Sequence, residues 1–345
     1  MIKTALIEFL SPVKVGRGEN YVDAITIYRA LVNVLFKLGY EDLINDFINR
    51  VTVSSILPAI RTDSKTILFL KSPSKVVDCD DRRMEKEIKS ADYLDYELLT
   101  KNKLDMDGGL RVRCNKFYEG GAMRVEVEGA DAVVMNGFII ESQNYKLIEN
   151  SKRKDLLGQP KQEVRYRNVI DRVTNAAVPF TVTAIMPTTE MAILMQVCED
   201  GSGKQGEQLV KVLEDAIKVL GEVGIGGERS VGYGRFRLLE FRDFDGDLNA
   251  EIKLRNKRAY YVTGRAYIEG GSDFLAGRFD VVKGFAGEVF TSNIPLLVLL
   301  PAGSIVTSLY PCFKYHGEGT QRQLVVIKPL TIPPKPCEET KPLSC

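Results

Sequence analysis

Residues 224–236 read GIGGERSVGYGRF and bring five glycines into eleven positions: Gly224, Gly226, Gly227, Gly232 and Gly234. Glycine allows positive φ and a close approach of the backbone to a ligand, and successive N–H groups can form an anion-binding nest. Arg229 and Arg235 add cationic donors. The run lacks the GK[ST] of a P-loop and follows a predicted helix, whereas a Rossmann turn follows a strand. It therefore predicts a phosphate-binding loop outside the nucleotide-hydrolysing classes, or else a tight connection between closely packed elements.

The elements around this run have the order of a ferredoxin-like unit. Strands are predicted at 2–9, 180–186, 191–198 and 236–241, and amphipathic helices at 22–38 and 207–220. With an insertion after the first helix, this order matches a split βαβ unit, whose two helices cover one face of an antiparallel sheet. The other face would stay free, and RRM-type domains bind RNA there. The charged segment 242–251 is typical of a domain joint.

A basic segment, residues 151–172, precedes the second predicted strand pair with seven basic and three acidic side chains. In an extended strand, one side would carry Arg165, Arg167 and Asp171, and the other Tyr166, Asn168 and Arg172. Successive arginines suit a phosphate backbone, and an aromatic ring or an amide can stack on or hydrogen-bond a base. The segment predicts an RNA-binding strand; the alternative is a solvated hairpin with incidental charge.

The composition excludes several classes of active site. The 345 residues contain one histidine, His316, so a Ser-His-Asp triad, a His-ligated zinc site or a paired-His ribonuclease would rest on that residue alone or be impossible. The six cysteines form no CxxC pair, which argues against zinc or iron–sulfur ligation and predicts separate, reduced thiols. We expect neither a metal site nor a cofactor.

The formal net charge of +1 conceals local blocks of charge. Residues 78–107 hold ten acidic and six basic side chains and predict short helices on a solvated face, whereas residues 253–258 form another basic run. The first fifteen residues lack a signal-peptide pattern. The longest apolar stretch, 294–302, contains two prolines and is too short to span a bilayer. We therefore expect a cytoplasmic protein without a membrane partner.

Four segments in order resemble the RAMP-superfamily subunit that caps the 5′ end of the crRNA in Csm-type, type III-A CRISPR-Cas effectors, subunit four of those complexes. They are residues 54–60 with 66–75, 93–99, 168–180 and 224–236. The glycine run after the second helix is the hallmark of that superfamily. The resemblance reaches about residue 241 and continues weakly through residues 311–330.

The resemblance implies an α+β fold of two ferredoxin-like (RRM-like) domains, residues 1–242 and 243–330, with a flexible tail at 331–345. The first domain would contain large insertions that include a basic β-hairpin thumb. Carried over by position, the thumb includes Arg165, Arg167, Asn168, Asp171 and Arg172. The loop that grips the 5′ tag of the crRNA includes Gly224, Gly226, Gly227, Arg229, Ser230, Gly232, Gly234 and Arg235.

The implied function is that of a non-catalytic subunit, in antiviral defence, that binds the crRNA 5′ tag and bridges the large Palm-domain subunit to the backbone RAMP subunits. The main alternative is a metal-independent RAMP endoribonuclease that processes CRISPR repeat RNA. Such enzymes usually have a general base, often His, near the N-terminal helix, and the helix predicted at 22–38 has none. A third possibility is an interaction scaffold whose glycine loop only packs.

Overall fold

Strands and helices combine in a mixed α+β protein. The computed structural model describes residues 1–16, 21–101, 103–119, 122–158, 160–198, 204–268, 273–275, 277–286, 292–316, 323–340 and 342–344. Within these ranges the α-helices are α1 (Ala24–Lys37), α2 (Glu41–Arg50), α3 (Arg82–Ser90), α4 (Glu97–Thr100), α5 (Ser142–Asn150) and α6 (Lys204–Val223). None of these described helices combines the length and the apolarity needed to cross a membrane.

The strands of residues 1–150 are β1 (Ile2–Phe9), β2 (Val51–Val53), β3 (Leu57–Arg61), β4 (Thr66–Lys71), β5 (Lys75–Asp78), β6 (Tyr93–Asp95), β7 (Lys103–Asp105), β8 (Leu110–Glu119), β9 (Ala122–Val127), β10 (Ala130–Met135) and β11 (Phe138–Glu141). Those that follow are β12 (Lys161–Ile170), β13 (Ala177–Met186), β14 (Glu190–Val197), β15 (Phe236–Asp243), β16 (Glu251–Leu254), β17 (Lys257–Val262), β18 (Phe274–Leu275), β19 (Asp280–Ala286), β20 (Ser292–Leu299), β21 (Ile305–Val306), β22 (Cys312–His316), β23 (Gln323–Ile327), β24 (Thr331–Ile332) and β25 (Leu343–Ser344).

The largest sheet has twelve strands in the order β15-β1-β14-β3-β4-β6-β11-β10-β9-β8-β5, with β2 beside β14. β1 lies between β14 and β15 and is antiparallel to both. Ile7 of β1 and Ile193 of β14 pack with Leu31 of α1 and Leu213 of α6 in one hydrophobic core. Because side chains alternate along a strand, this core places α1 and α6 on one face of the sheet, as the sequence pattern predicts.

The opposite face of this sheet is buried as well. Leu6 of β1 and Leu194 of β14 belong to a second core that includes Tyr261, Leu330 and Ile332 from the C-terminal part of the chain. The expectation that this face stays free for RNA is therefore wrong. The reason is visible in β1 and β14, where both alternating sets of side chains contain apolar residues, as in strands that are covered on both sides.

A second sheet of six strands joins the two halves of the chain. Its order is β18-β21-β17-β16-β7, with β24 beside β17. β7, which lies in the first half, pairs in parallel with β16. The remaining strands form a hairpin of β12 and β13, a pair of β19 and β20, and a small sheet of β22 with β23 and β25. A boundary between residues 242 and 243 stays a prediction.

The acidic block at 78–107 differs from its predicted form. It contains α3 and α4, as expected, but it also contributes β6 to the large sheet and β7 to the second one. Leu94, Leu98 and Leu104 are almost completely buried in the second core. The prediction of a wholly solvated face is wrong, because these few apolar side chains are spaced so that they reach the core.

The segment predicted as a flexible tail packs against the fold through its first ten residues. Thr331 and Ile332 form β24, pair with β17 and are buried. Further along, the Gln196 side chain donates a hydrogen bond of 2.8 Å to the Lys335 carbonyl. The prediction of flexibility is wrong for residues 331–340, because Thr331 and Ile332 add a short buried strand beside β17. Residues 341 and 345 lie outside the described residues.

All of the described cysteines are disulfide-bonded, in contrast to the separate, reduced thiols predicted from their spacing. Cys79 is bonded to Cys114, and Cys198 to Cys337. The first pair joins the regions of β5 and β8, which are neighbours in the sheet. The second joins the end of β14 to the C-terminal segment. Sequence spacing alone misses both bonds, because their partners lie 35 and 139 residues apart.

A buried lysine also fastens the C-terminal part. The Lys328 ammonium donates hydrogen bonds of 3.0 and 2.9 Å to the carbonyls of Ile48 and Asn49, in the last turn of α2. Those carbonyls have no partner within the helix, and a lysine there satisfies them. Burial lowers the pKa of Lys328 to about 7. The Lys328 ammonium therefore links the C-terminal part of the chain to the end of α2.

We expect the Cys198→Ser/Cys337→Ser variant to lose about 2–4 kcal/mol of unfolding free energy, since the bond restricts the unfolded chain over a long loop. Urea denaturation without and with a reducing agent measures this loss. Reduction should lower the midpoint of the wild type more than that of the variant, which already lacks the Cys198–Cys337 bond. Equal midpoints for the two proteins without reductant would contradict the prediction.

The Lys328→Met variant tests the buried ammonium. A pKa near 7 in the folded protein, against about 10.4 when unfolded, means that the unfolded chain binds more protons between these values. The stability of the wild type should therefore rise relative to the variant as the pH rises above 7, by up to about 1.4 kcal/mol per pH unit. Denaturation at pH 6 to 9 measures the difference. The exposed Lys146→Met variant is the control, and parallel curves for wild type and Lys328→Met would contradict the assignment.

Candidate nucleic-acid interface

The segment that follows β1 holds the glycine loop, residues 224–234, in place. The Gly234 amide donates to the Pro12 carbonyl at 2.8 Å, and the Gly227 amide donates to the Lys14 carbonyl at 2.9 Å. Within the loop, the Ile225 amide donates to the Gly234 carbonyl at 2.9 Å. These bonds fold the loop back on itself immediately after α6 and set it against the start of the chain.

Several glycines of the loop are required by the protein's own backbone. A Cβ atom on Gly234, whose φ is +72°, would lie 1.8 Å from the Ile225 carbonyl oxygen. A Cβ on Gly226 would lie 2.5 Å from the Lys14 carbonyl oxygen. In contrast, a Cβ on Gly232 would meet no atom within 4 Å. Close packing therefore explains Gly226 and Gly234, whereas Gly232 has open space beside it.

The β12–β13 hairpin is anchored to the same segment. Val13 exchanges two backbone hydrogen bonds, of 2.8 and 2.9 Å, with Ile185 of β13. The hairpin extends over ten paired positions, from Lys161 opposite Met186 to Ile170 opposite Ala177. Its base is consequently fixed beside the glycine loop, although 38 residues separate Ile185 from Gly224 in the sequence, with β14 and α6 between them. The two basic features of the sequence are thus brought together.

Glu228 and Tyr233 connect the loop to the predicted arginines. One oxygen of Glu228 accepts from Arg167 at 2.6 Å, and the other from Lys14 at 3.1 Å. The hydrogen bond from Lys14, helped by Arg167, lowers the pKa of Glu228. The guanidinium carbons of Arg165 and Arg167 lie 5.3 and 5.5 Å from the centre of the Tyr233 ring, within cation–π range. Sequence reasoning missed these partners; the only signal was an acid inside a basic loop.

A cavity of about 950 Å³ opens between the glycine loop and α1. Among the described residues that line it, the basic ones are Lys14, Arg29, Lys37 and Arg229, and the acidic one is Asp23. The Asp23 carboxylate accepts hydrogen bonds from the amides of Ile25 and Arg265 at 3.0 and 2.9 Å, so it is used in holding the backbone. The cavity, hereafter the loop groove, therefore presents a net positive charge, with the exposed Arg229 at its edge.

The other predicted residues are placed differently. Asn168 and Arg172 are exposed on the hairpin, away from the described ion pairs of the loop. Asp171 accepts from the amides of Val173 and Thr174 at 2.8 and 3.1 Å, which lowers its pKa and shapes the hairpin turn. Arg235 pairs with Glu222 at the end of α6, at 2.9 Å. The interactions of Asp171 and Arg235 are therefore with the protein itself.

Ser230 and the remaining glycines complete the loop. Ser230 is exposed, in a single turn of 3₁₀ helix that covers Arg229–Val231. Gly227 is exposed and lines the loop groove, and a Cβ on Gly224 would lie 2.5 Å from the Tyr233 carbonyl oxygen. Across the described part of the chain, no three His, Cys, Asp or Glu side chains are grouped so as to hold a metal ion.

The sequence model of the RAMP superfamily matches residues 6–237, a range that begins in β1 and ends in β15, just after the glycine loop. The chain belongs to the RAMP superfamily. For this RAMP protein, a comparison with curated proteins finds no match.

Solved structures of type III CRISPR proteins resemble this RAMP protein in fold. A crystal structure of the Csm3–Csm4 subcomplex of the type III-A interference complex is similar at a TM-score of 0.58 and 20% identity, over 97% of this chain and 100% of that one. A Csm1–Csm4 cassette in complex with AMPPNP matches at 0.45 and 11% identity, over 95% and 96% of the two chains. A type III-B Cmr-beta structure with cognate target RNA and AMPPnP matches at 0.42 and 15%, over 88% and 85%. The first comparison shows a shared fold.

The glycines provide a matched test of packing in this RAMP protein. Gly234→Ala should destabilise the fold by more than about 4 kcal/mol, because the new Cβ would overlap the Ile225 carbonyl and force the loop apart. Gly232→Ala should cost only about 1–2 kcal/mol, the penalty of a left-handed backbone without a clash. Urea denaturation compares the two variants. Similar losses would show that the loop has a different conformation.

Proposed function

We propose that this RAMP protein is an RNA-binding subunit of a type III CRISPR effector complex and that it holds the 5′ repeat-derived tag of the crRNA. One observation carries the proposal: the glycine loop, the basic hairpin and the positively charged loop groove meet at a single place. A groove lined by cationic side chains, next to a hairpin that exposes an aromatic ring, suits a single-stranded nucleic acid better than a small neutral ligand.

Different residues of the candidate interface would contact the phosphates and the bases of the RNA. Arg229 at the groove supplies charge to the phosphate backbone, which dominates affinity for RNA. Tyr166 projects from the hairpin with 82% of its surface exposed, so its ring is available to stack on an unpaired base. Arg167 has a positioning role, because its pair with Glu228 fixes the hairpin relative to the loop.

The fold is consistent with a ferredoxin-like unit in residues 1–242. Four neighbouring strands, β15-β1-β14-β3, with α1 and α6 on one face, have the order and helix placement of that unit. We assign the thumb to the β12–β13 hairpin and a second, smaller ferredoxin-like domain to residues 243–330. The similarity in fold to the Csm3–Csm4 subcomplex supports this division.

The proposed partners are the large Palm-domain subunit and the backbone RAMP subunits, in the cytoplasm. Three apolar side chains on the hairpin, Ile170, Val173 and Val178, are at least 62% exposed, and a neighbouring subunit would cover them. Purification of the protein from its host tests this assembly. A crRNA and a large subunit should accompany it, and recovery of the chain alone under mild salt conditions would contradict the assignment.

We assign the subunit a binding role rather than a catalytic one. The described residues that line the loop groove include no histidine. The carboxylate among them, Asp23, is 2% exposed and already accepts backbone hydrogen bonds. A general base must reach the 2′-OH that it activates. Incubation of the protein with CRISPR repeat RNA distinguishes the alternatives, because cleavage at one position would establish the endoribonuclease instead.

Two arginines six residues apart provide the test of binding. Arg229→Ala should weaken binding of a fluorescein-labelled, repeat-derived single-stranded RNA about three- to tenfold and reduce the slope of log K against log salt by about 0.7, as expected for one lost phosphate contact. Arg235→Ala removes the same charge but from a side chain that pairs with Glu222. It should change neither quantity by more than about twofold.

Fluorescence anisotropy at several salt concentrations measures both variants. If Arg235→Ala weakens binding as much as Arg229→Ala does, the RNA runs along the outer side of the loop. If neither variant affects the binding, the glycine loop does not bind RNA.

A further inference from the structure

A second basic cavity, of about 1010 Å³, lies between the end of β4 and the residues that precede β19. We refer to it as the far cavity. Five basic and two acidic side chains line it: Lys71, Lys75, Lys89, Arg265, Arg278, Asp92 and Asp280. They come from segments that are far apart in the sequence, so that the cluster exists only in the folded protein. Neither the sequence motifs nor the family match assigns a ligand to it.

The two carboxylates of the far cavity do not neutralise its cations. Asp92 forms an ion pair with Lys71 at 3.8 Å, whereas Asp280 is shared by Arg265 at 3.1 Å and Arg278 at 3.7 Å. Lys75 donates to the Ser72 hydroxyl at 3.1 Å and to the Ala91 carbonyl, and it makes no salt bridge within the described residues. Lys89 pairs with Glu85 of its own helix, which lies outside the lining. The excess of positive charge therefore rests on Lys75 and on the two arginines that share Asp280.

Two lysines of the far cavity have lowered pKa values, mainly because they are buried. Burial lowers the pKa of Lys75 to about 8, with Asp92 opposing the change and Lys71 adding to it. Burial also lowers the pKa of Lys71, where Asp92 again opposes and Arg278 contributes. A bound anion would favour the charged form of both side chains, because it places an opposite charge beside them.

The far cavity meets the loop groove at Tyr21, which lines both. The two are further linked at Asp23 of the loop groove, whose carboxylate accepts a hydrogen bond of 2.9 Å from the amide of Arg265. Phe279, with 48% of its surface exposed, adds a second ring to the lining of the far cavity. Aromatic rings that lie among cationic side chains are typical of grooves that bind single-stranded nucleic acid.

We propose that the far cavity binds phosphate groups of the same RNA strand that occupies the loop groove, so that the strand passes from Arg229 across Tyr21 to Lys75 and Arg278. The proposal rests on the proposed function and extends it. A free nucleotide has the same phosphate chemistry. The strand is favoured because the far cavity opens onto the groove and does not form a closed pocket around a small ligand.

A length series of fluorescein-labelled oligouridylates, from 3 to 15 nucleotides, tests the path by fluorescence anisotropy. In the wild type, affinity should rise in a step once the strand is long enough to reach the far cavity. Lys75→Ala/Arg278→Ala should abolish that step, weaken the longest oligomer about tenfold, reduce its salt slope by about 1.4, and leave the shortest unchanged. Arg278→Glu is the second variant, because the Arg278 side chain is 78% exposed and its reversal spares the packing.

Arg111→Ala/Lys146→Ala removes one arginine and one lysine from exposed positions outside both cavities and serves as the matched control. If Lys75→Ala/Arg278→Ala and Arg278→Glu both behave like this control, the RNA strand does not pass through the far cavity, while the loop groove keeps its role. If the wild type binds no oligomer, the proposed function and this extension both fail. If AMP competes with the long oligomer only in proteins with an intact far cavity, and no length step exists, the ligand is a free nucleotide.

Discussion

Residues 12–14 are the point on which the candidate interface depends. Pro12 and Lys14 accept hydrogen bonds from Gly234 and Gly227, and Val13 exchanges two with Ile185 at the base of the hairpin. A three-residue segment thereby pairs with the glycine loop and with the hairpin at once. Because backbone hydrogen bonds fix both distance and direction, the loop and the hairpin have a defined separation. The contacts of Glu228 with Lys14 and Arg167 then join the side chains of all three segments.

Burial of the large sheet on both faces accounts for the place of the candidate interface at the glycine loop. Helices α1 and α6 cover one face, and a core with residues from both halves of the chain covers the other. The described central strands therefore leave no broad face for stacking bases, and the proposed RNA strand would bind where loops and helix surfaces meet. The loop groove and the far cavity are such places, and both have a net positive lining.

Much of this arrangement is predictable from sequence patterns. The strand at 2–9 and the helices α1 and α6 follow from the spacing of apolar residues, and the glycine run predicts a tight loop after the second helix. The roles of single residues are less predictable. Asp171 shapes a turn and Arg235 pairs with Glu222, although both sit among basic residues that suggest RNA contacts. Charge patterns do not reveal which cations already have a partner inside the protein.

Local periodicity and composition are enough to predict the α+β class, the tight loop after α6 and the two basic segments. Which of these segments meet depends on tertiary packing. The disulfide of Cys198 with Cys337, the hydrogen bonds of Lys328 to the end of α2, and the pairing of Arg167 with Glu228 all join residues at least 61 positions apart. Such contacts arise from packing of distant elements, which no local pattern encodes. For the same reason, Gly224, Gly226 and Gly234 are explained less by a ligand than by the carbonyl groups that the fold places against them.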